Sequence, residues 1–335
     1  MKNDTTRRHL LRQGMVIGGA AIVGAPALLS ASAHAQAWPS KPVRIVVSGP
    51  AGGLTDAFAR AYGEYIAQKI GQPVVVENKA GASGIIAAEM VGKSPADGYT
   101  LLFTIATTMV MNRVLFKSLP YDPDKDFVYI SYMDAGHLPF VVHRSVPATN
   151  IKEFVAWARN NKVSIGTYSA GSYSHIVVAE LNKAFGLNME PVHYRGEAPM
   201  WQDLAGGAIH AATGSYQAGA SVLSTGAGRA IAVPQTARMK KLPDVATFLE
   251  QGVTAKAFQI RGWVGLLAPA GVKAEIVERL SALMVEAGQT PRIRQILDTF
   301  GIDNAASGHQ AFAQVLKEES PVWIDVVKQL GITPQ

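Results

Sequence analysis

A short β-branched run, Val43 to Val47, breaks into Ser48-Gly49-Pro50-Ala51-Gly52-Gly53 and then into apolar positions at helical spacing: Ala57, Ala61, Tyr65 and Ile66, with Phe58, Tyr62 and Ile70 beside them. The run is too short and too β-branched for a buried helix, so the stretch reads as strand, loop, helix. Pro73-Val74-Val75-Val76-Glu77-Asn78, the turn Ala80-Gly81-Ala82-Ser83-Gly84 and a helix from Ile85 repeat that order. Strands in succession joined through helices pair in parallel, which places the chain in the α/β class. Two glycine turns leaving neighbouring parallel strands face one crevice, where such sheets bind ligands. Gly52 and Gly53 are expected to hold bare backbone N–H groups in front of the first helix, with Thr55 or Asp56 as its N-cap. The partial positive charge at a helix N-terminus favours an anion there, and a carboxylate fits.

Further along, Tyr99 to Thr104 reads as a third strand, with Thr104, Thr107 and Thr108 at its exit, and Val128 to Met133 as a fourth. Of these hydroxyls Thr107 is a ligand candidate, although threonines equally often cap helices. From Pro139 to His143 the chain is expected to cross to a second domain, where the pattern restarts. A helix (Ile151 to Arg159), a strand (Val163 to Tyr168) and the turn Ser169-Ala170-Gly171-Ser172-Tyr173-Ser174-His175 lead into a helix from Ile176 to Phe185. Capping that helix requires one serine and the turn holds three, which makes Ser169, Ser172 and Ser174 candidates for the far end of a ligand. Met189 to Tyr194, Ala208 to Thr213 and Ala230 to Val233 read as strands, with a helix over Ala198 to Leu204. Near Phe258 to Leu267 the chain returns to the first domain, which closes with helices over Glu275 to Ala287, Arg292 to Phe300 and Gln310 to Gln329. Tyr173 and Tyr216 fall in crevice turns, where aromatic walls suit an organic ligand.

The N-terminus is an export signal: Thr6-Arg7-Arg8-His9-Leu10-Leu11-Arg12, an apolar run from Met15 to Leu29 interrupted by Pro26, and Ala33-His34-Ala35. The arginine pair resembles the twin-arginine type, and the run is too short and broken for a retained anchor. The 335-residue chain carries a net charge of +6; residues 1–35 hold four of the cations and one acid, which leaves +3. No stripe of lysine and arginine with interleaved aromatics supports a nucleic-acid role. The absence of cysteine excludes disulfides, thiolate metal sites and cysteine nucleophiles.

Metalloprotease, nucleotide-binding lysine-loop and dinucleotide motifs are missing, and Gly166-Thr167-Tyr168-Ser169-Ala170-Gly171 is one residue too long for a hydrolase elbow. A serine hydrolase using Ser169 or Ser174 with His175 is the enzymatic alternative, but no carboxylate to orient the histidine can be nominated. His175 and His210 read as structural.

Several motifs in register carry a resemblance over essentially the whole mature chain: Trp38-Pro39-Ser40-Lys41-Pro42, Pro50-Ala51-Gly52-Gly53, Gln72 to Ala82, Pro95-Ala96-Asp97-Gly98-Tyr99-Thr100-Leu101-Leu102, Leu119-Pro120-Tyr121-Asp122-Pro123 and Gly265 to Gly271. In order and spacing they resemble the substrate-binding proteins of tripartite tricarboxylate transporters, the Bug receptors. The resemblance implies a periplasmic monomer with a two-domain Venus-flytrap fold, type II-like, each domain a mixed, mostly parallel sheet flanked by helices. The expected division is 38–139 plus 259–335 for domain 1 and 140–258 for domain 2. It also implies no catalysis, no metal and no cofactor, with a small organic carboxylate handed to membrane permease subunits; a receptor feeding a sensor kinase is the variant reading. Carried over, the carboxylate cradle comprises Ala51, Gly52 and Gly53 in the first turn and Ala82, Ser83 and Gly84 in the second, with Ser169, Ser172 and Ser174 across the crevice.

Two positions depart from the family pattern. Gly49 stands where an aromatic residue is frequent, and Gly214, followed by Ser215, where an aspartate able to meet a ligand ammonium is frequent. Both losses predict a roomier site without that acid, suited to a non-amino, aromatic or bulky carboxylate flanked by Tyr173 or Tyr216.

Overall fold

A computed structural model describes residues 38–334; the expected export signal lies outside them. Strand β1 (Val43–Val47) is buried at every position except Arg44, because helices cover both faces of its sheet. It feeds α1 (Leu54–Ile70), which buries Phe58, Ala61, Tyr62 and Ile66 and stops at Gly71 in the left-handed conformation, φ 69°. β2 (Val74–Asn78), α2 (Ile85–Gly92) and β3 (Thr100–Ile105) follow. A wide helical turn over Thr107–Met111 runs into the short α3 (Asn112–Leu115), and β4 (Phe127–Asp134) completes this half.

The chain then builds β5 (Phe140–His143), α4 (Ile151–Ala158), β6 (Ser164–Thr167), α5 (Tyr173–Phe185), β7 (Glu190–His193), α6 (Glu197–Gly206), β8 (Ala211–Thr213), α7 (Tyr216–Ser224) and β9 (Gly228–Ala232). It ends with β10 (Trp263–Pro269), α8 (Ala274–Ala287), α9 (Pro291–Phe300), the two-residue β11 (Ser307–Gly308) and α10 (His309–Gln329).

These strands make two mixed sheets. The first has the order β11-β4-β10-β3-β1-β2 and the second β7-β6-β8-β5-β9. β1 runs parallel to β2 and β3, and β6 to β7 and β8, so the expected strand–turn–helix units are present. β10 lies antiparallel to β3 and β4, and β5 to β8 and β9. Parallel and antiparallel pairing are therefore nearly even, rather than mostly parallel, because the first strand after each crossing, β5 or β10, enters its sheet from the opposite direction and sits between two strands it opposes. The chain crosses between β4 and β5 and again between β9 and β10. Residues from Trp38 onward cluster as one compact unit, and α10 spans it. Phe312 packs on Tyr129, Tyr132 and Trp263 of the first sheet, while Trp323 meets Tyr173 of α5 edge-on with ring centroids 5.6 Å apart.

Candidate functional site

A cavity of about 360 Å³ opens at the carboxyl ends of the parallel strands. The first sheet contributes Gly52, Gly53 and Leu54 at the head of α1, and Ile105, Ala106 and Thr107 after β3. The second contributes Tyr168, Tyr173, Glu197, Ser215 and Gln217. Both crossings form its back wall, through Ala135, Gly136 and Leu138 on one side and Pro234, Gln235, Ile260 and Gly262 on the other. Trp263, Phe300 and Trp323 supply aromatic surface, and the indole N–H of the buried Trp323 has no partner among the described residues. The lining includes neither lysine nor arginine. An anion there must be held by backbone N–H groups, hydroxyls and helix ends.

At the first turn Gly53, not Thr55 or Asp56, is the N-cap of α1. Asp56 instead sits in the first turn of α1 and reaches back, accepting from the Gly52 amide at 2.8 Å and from Asn78 Nδ2 at 3.0 Å. The Gly53 amide donates to Pro50 O at 3.3 Å. Contrary to the expectation from sequence, neither glycine amide is bare. The unpaired donors are one step further on: among the described residues no acceptor meets the Leu54 or Thr55 amide. Burial alone would raise the Asp56 carboxyl, but hydrogen bonds from Arg60, Gly52 and Asn78 outweigh it and hold it below its ordinary range. The turn is thereby fixed with its helix end aimed at the crevice.

Across the cavity, Glu197 is the first residue of α6, after Gly196 at φ 105°. Its carboxylate accepts from the Ser215 amide at 2.9 Å and from the Ser215 hydroxyl. Burial pushes its carboxyl above the usual carboxylate range, against the pull of the Ser215 hydrogen bonds.

Residues 58–332 match the profile described as tripartite tricarboxylate transporter family receptor. The chain belongs to this receptor family. It is 34% identical to the UPF0065 protein of the tcbD–tcbE intergenic region of Pseudomonas sp. strain P51 over 306 residues, 89% of each chain. Among solved structures, R. palustris Rpa4515 with adipate superposes at TM-score 0.78, with 29% identity over 89% of this chain and all of that one. MatC from Rhodopseudomonas palustris with bound malate gives TM-score 0.70 and 28% identity, over 87% of this chain and all of that one.

In this receptor fold the candidates read from sequence separate into two groups. Gly52, Gly53, Thr107 and Tyr173 border the cavity. Ala51, Ala82 and Ser83 are exposed beside it. Ala82 and Ser83 take left-handed backbone, φ 45° and 53°, and the Ser83 carbonyl accepts from Thr108 Oγ1 and Asn112 Nδ2. Gly84 packs beneath them on Thr108. In the serine turn Ser172 and Ser174 point inward and Ser169 is exposed. The Ser172 hydroxyl donates to Ser169 O at 2.6 Å and lies 2.8 Å from the Ser174 hydroxyl, while Ser174 Oγ accepts from the Tyr168 amide at 3.1 Å. These three serines tie the turn together and place Tyr168 and Tyr173 on the wall. Tyr216 opens α7 and packs against Gly301, outside the lining.

Glu197 was not among the candidates and overturns the expectation of a site without an acid. Its signal was the strand–glycine–helix order Met189 to Glu197, a fourth copy of the first turn's logic. The space at Gly49 is also taken, since a Cβ there would stand 2.3 Å from Thr55 Oγ1. His175 accepts from the Gly171 amide through Nδ1 at 3.1 Å and lies edge-on to His193. Burial and the neighbouring His193 press its pKa down to about 4. Among the described residues no carboxylate orients it, and Ser174 is fully buried. No described helix is long and apolar enough to cross a membrane.

Proposed function

We propose that this chain is an exported, non-catalytic binding protein that closes on a small organic carboxylate and presents it to permease subunits in the membrane. The observation that carries the reading is the cavity itself: it is walled from both sheets and both crossings, and the head of α1 borders it at Leu54, whose amide has no acceptor among the described residues. A charge-assisted N–H···carboxylate contact contributes about 1.5–3 kcal/mol, so a few of them with apolar burial reach micromolar affinity. The adipate and malate of two solved neighbours support a carboxylate. The aromatic wall of Tyr168, Tyr173, Trp263, Phe300 and Trp323 suits a ligand with an apolar middle.

In this reading residues 1–35 direct export to the periplasm and are removed. Residues 38–139 with 259–335, and residues 140–258, are the two bodies of a monomer that hinge about the crossings. The turns at Ala51–Gly53 and Ala82–Gly84 flank the carboxylate, with Thr107 beside it. The hydrolase alternative finds no support in the geometry around Ser174 and His175.

Thermal-shift measurement on the mature protein, unfolded and refolded to strip any co-purified ligand, tests the proposal. Monoacids, diacids, hydroxy and amino acids and aromatic acids are set against neutral solutes. A ligand that binds only the folded form raises Tm by mass action, and the expected result is a shift confined to carboxylates. No shift with any acid, or equal shifts with neutral solutes, rejects it.

A further inference from the structure

Within the reading above, the cavity should have two places for negative charge: the head of α1 on the first sheet and the head of α7 on the second. The second is already taken. Ser215 is the N-cap of α7, and both donors it could offer a ligand, its amide and its hydroxyl, go to the Glu197 carboxylate. Ser215 Oγ in turn accepts from the Ala218 amide. The position of this carboxylate is fixed by packing. A Cβ on Gly214 would stand 3.2 Å from Glu197 Oε1, 2.9 Å from Met200 and 3.0 Å from Trp201, so the glycine makes the room in which the glutamate lies. The acid that a side chain at 214 would have supplied is delivered from α6 instead. Glu197, Ser215 and Gln217 border the cavity together, and no lysine or arginine borders it to balance a second ligand charge.

We propose that Glu197 is a built-in carboxylate occupying the second anion site, so that the receptor selects a monocarboxylate whose far end carries a hydrogen-bond donor, a hydroxyl or an ammonium, and rejects dicarboxylates. A diacid bound with one end at α1 would bring its other carboxylate against Glu197, where like charges repel and the helix-end donors are already used. A hydroxyl or ammonium at that end meets the carboxylate lone pairs that Ser215 leaves open.

The test is titration calorimetry of the mature, refolded protein with matched acids of equal length: hexanoate, 6-hydroxyhexanoate, 6-aminohexanoate and adipate, with benzoate, 4-hydroxybenzoate and terephthalate as the aromatic set. In the wild type the hydroxy or amino acid of the better-fitting set is expected to bind at least tenfold more tightly than its diacid. Glu197→Gln, which keeps an acceptor for Ser215 and gains a donor, is expected to move that ratio at least tenfold toward the diacid, about 1.4 kcal/mol. The wild-type ratio needs no variant and stands even where Glu197→Gln does not fold. Wild-type preference for the diacid, or a ratio unmoved in a folded Glu197→Gln, overturns the inference and leaves the receptor reading intact. Absence of binding by every acid in both sets and in the wider thermal-shift panel overturns the receptor reading and this inference with it.

Discussion

Single side chains set the geometry of the first turn. Asp56 is buried and accepts from Gly52, Asn78 and Arg60, so Asp56→Ala leaves the Gly52 amide without its acceptor and takes one of two acceptors from Asn78 and from Arg60. The expected cost is about 2–3 kcal/mol in urea unfolding, with weaker ligand binding because the head of α1 loosens. Its folded pKa is depressed, so the contribution is present above the unfolded value and is lost as pH falls through the folded one. The difference between wild type and variant should therefore shrink below pH 3.8. His175 gives a pH dependence of the same sign from a different cause. Its folded pKa of about 4 lies below the ordinary 6.5, so the folded state resists the proton that the unfolded chain accepts. Stability is expected to fall as pH drops from 6.5 to 4 and to lose nothing further from this group below that. A Tm-against-pH curve for His175→Gln should be flatter in that window; an unchanged slope would reject the assignment.

Among the elements, the two glycine turns look alike in sequence but are constrained differently. Gly52 has φ +79° and nothing within 4 Å of where a Cβ would stand. Gly84 has φ +85°, with Thr108 Oγ1 at 2.3 Å and Ser48 Cβ at 3.1 Å from that point. Gly52→Ala is therefore expected to cost about 1–2 kcal/mol of backbone strain alone. Gly84→Ala adds overpacking against the exit of β3 and should cost about 2–4 kcal/mol. Equal losses for the two in denaturant titration would contradict this difference. The serine turn before α5 shows why residue type alone misleads at this scale. Its hydroxyls can serve a ligand or the chain, and here those of Ser172 and Ser174 serve the chain, holding Tyr168 and Tyr173 in place.

For the whole molecule, one contact that ties the second crossing to the body is Arg261, which donates from its amide at 3.0 Å and from Nε at 3.1 Å to Glu319 of α10. Glu319→Ala is expected to destabilise by about 1.5–3 kcal/mol and to change ligand affinity, since this segment also forms the back wall of the cavity. Small-angle scattering addresses closure directly. A saturating ligand should reduce the radius of gyration, and an unchanged radius with binding confirmed by calorimetry rejects hinge closure.

The strand–turn–helix units, their parallel pairing, the glycine turns at one sheet edge and the family were all legible from the chain. Each rests on short-range periodicity, turn chemistry or motif spacing that neighbouring residues carry by themselves. Which polar groups face the cavity was legible only in part, with Thr107 and Tyr173 read from the chain and Glu197 and Gln217 not, because hydrogen-bond partners compete across long separations. Glu197 finds Ser215, 18 residues away, and Arg261 finds Glu319, 58 away. Whether a serine, an amide or an acid serves the ligand or the fold is decided only when packing sets which partner is within about 3 Å. For the same reason the acid missing at Gly214 could return from another helix: sequence position names the residue, but the space beside that glycine determined which carboxylate fills it.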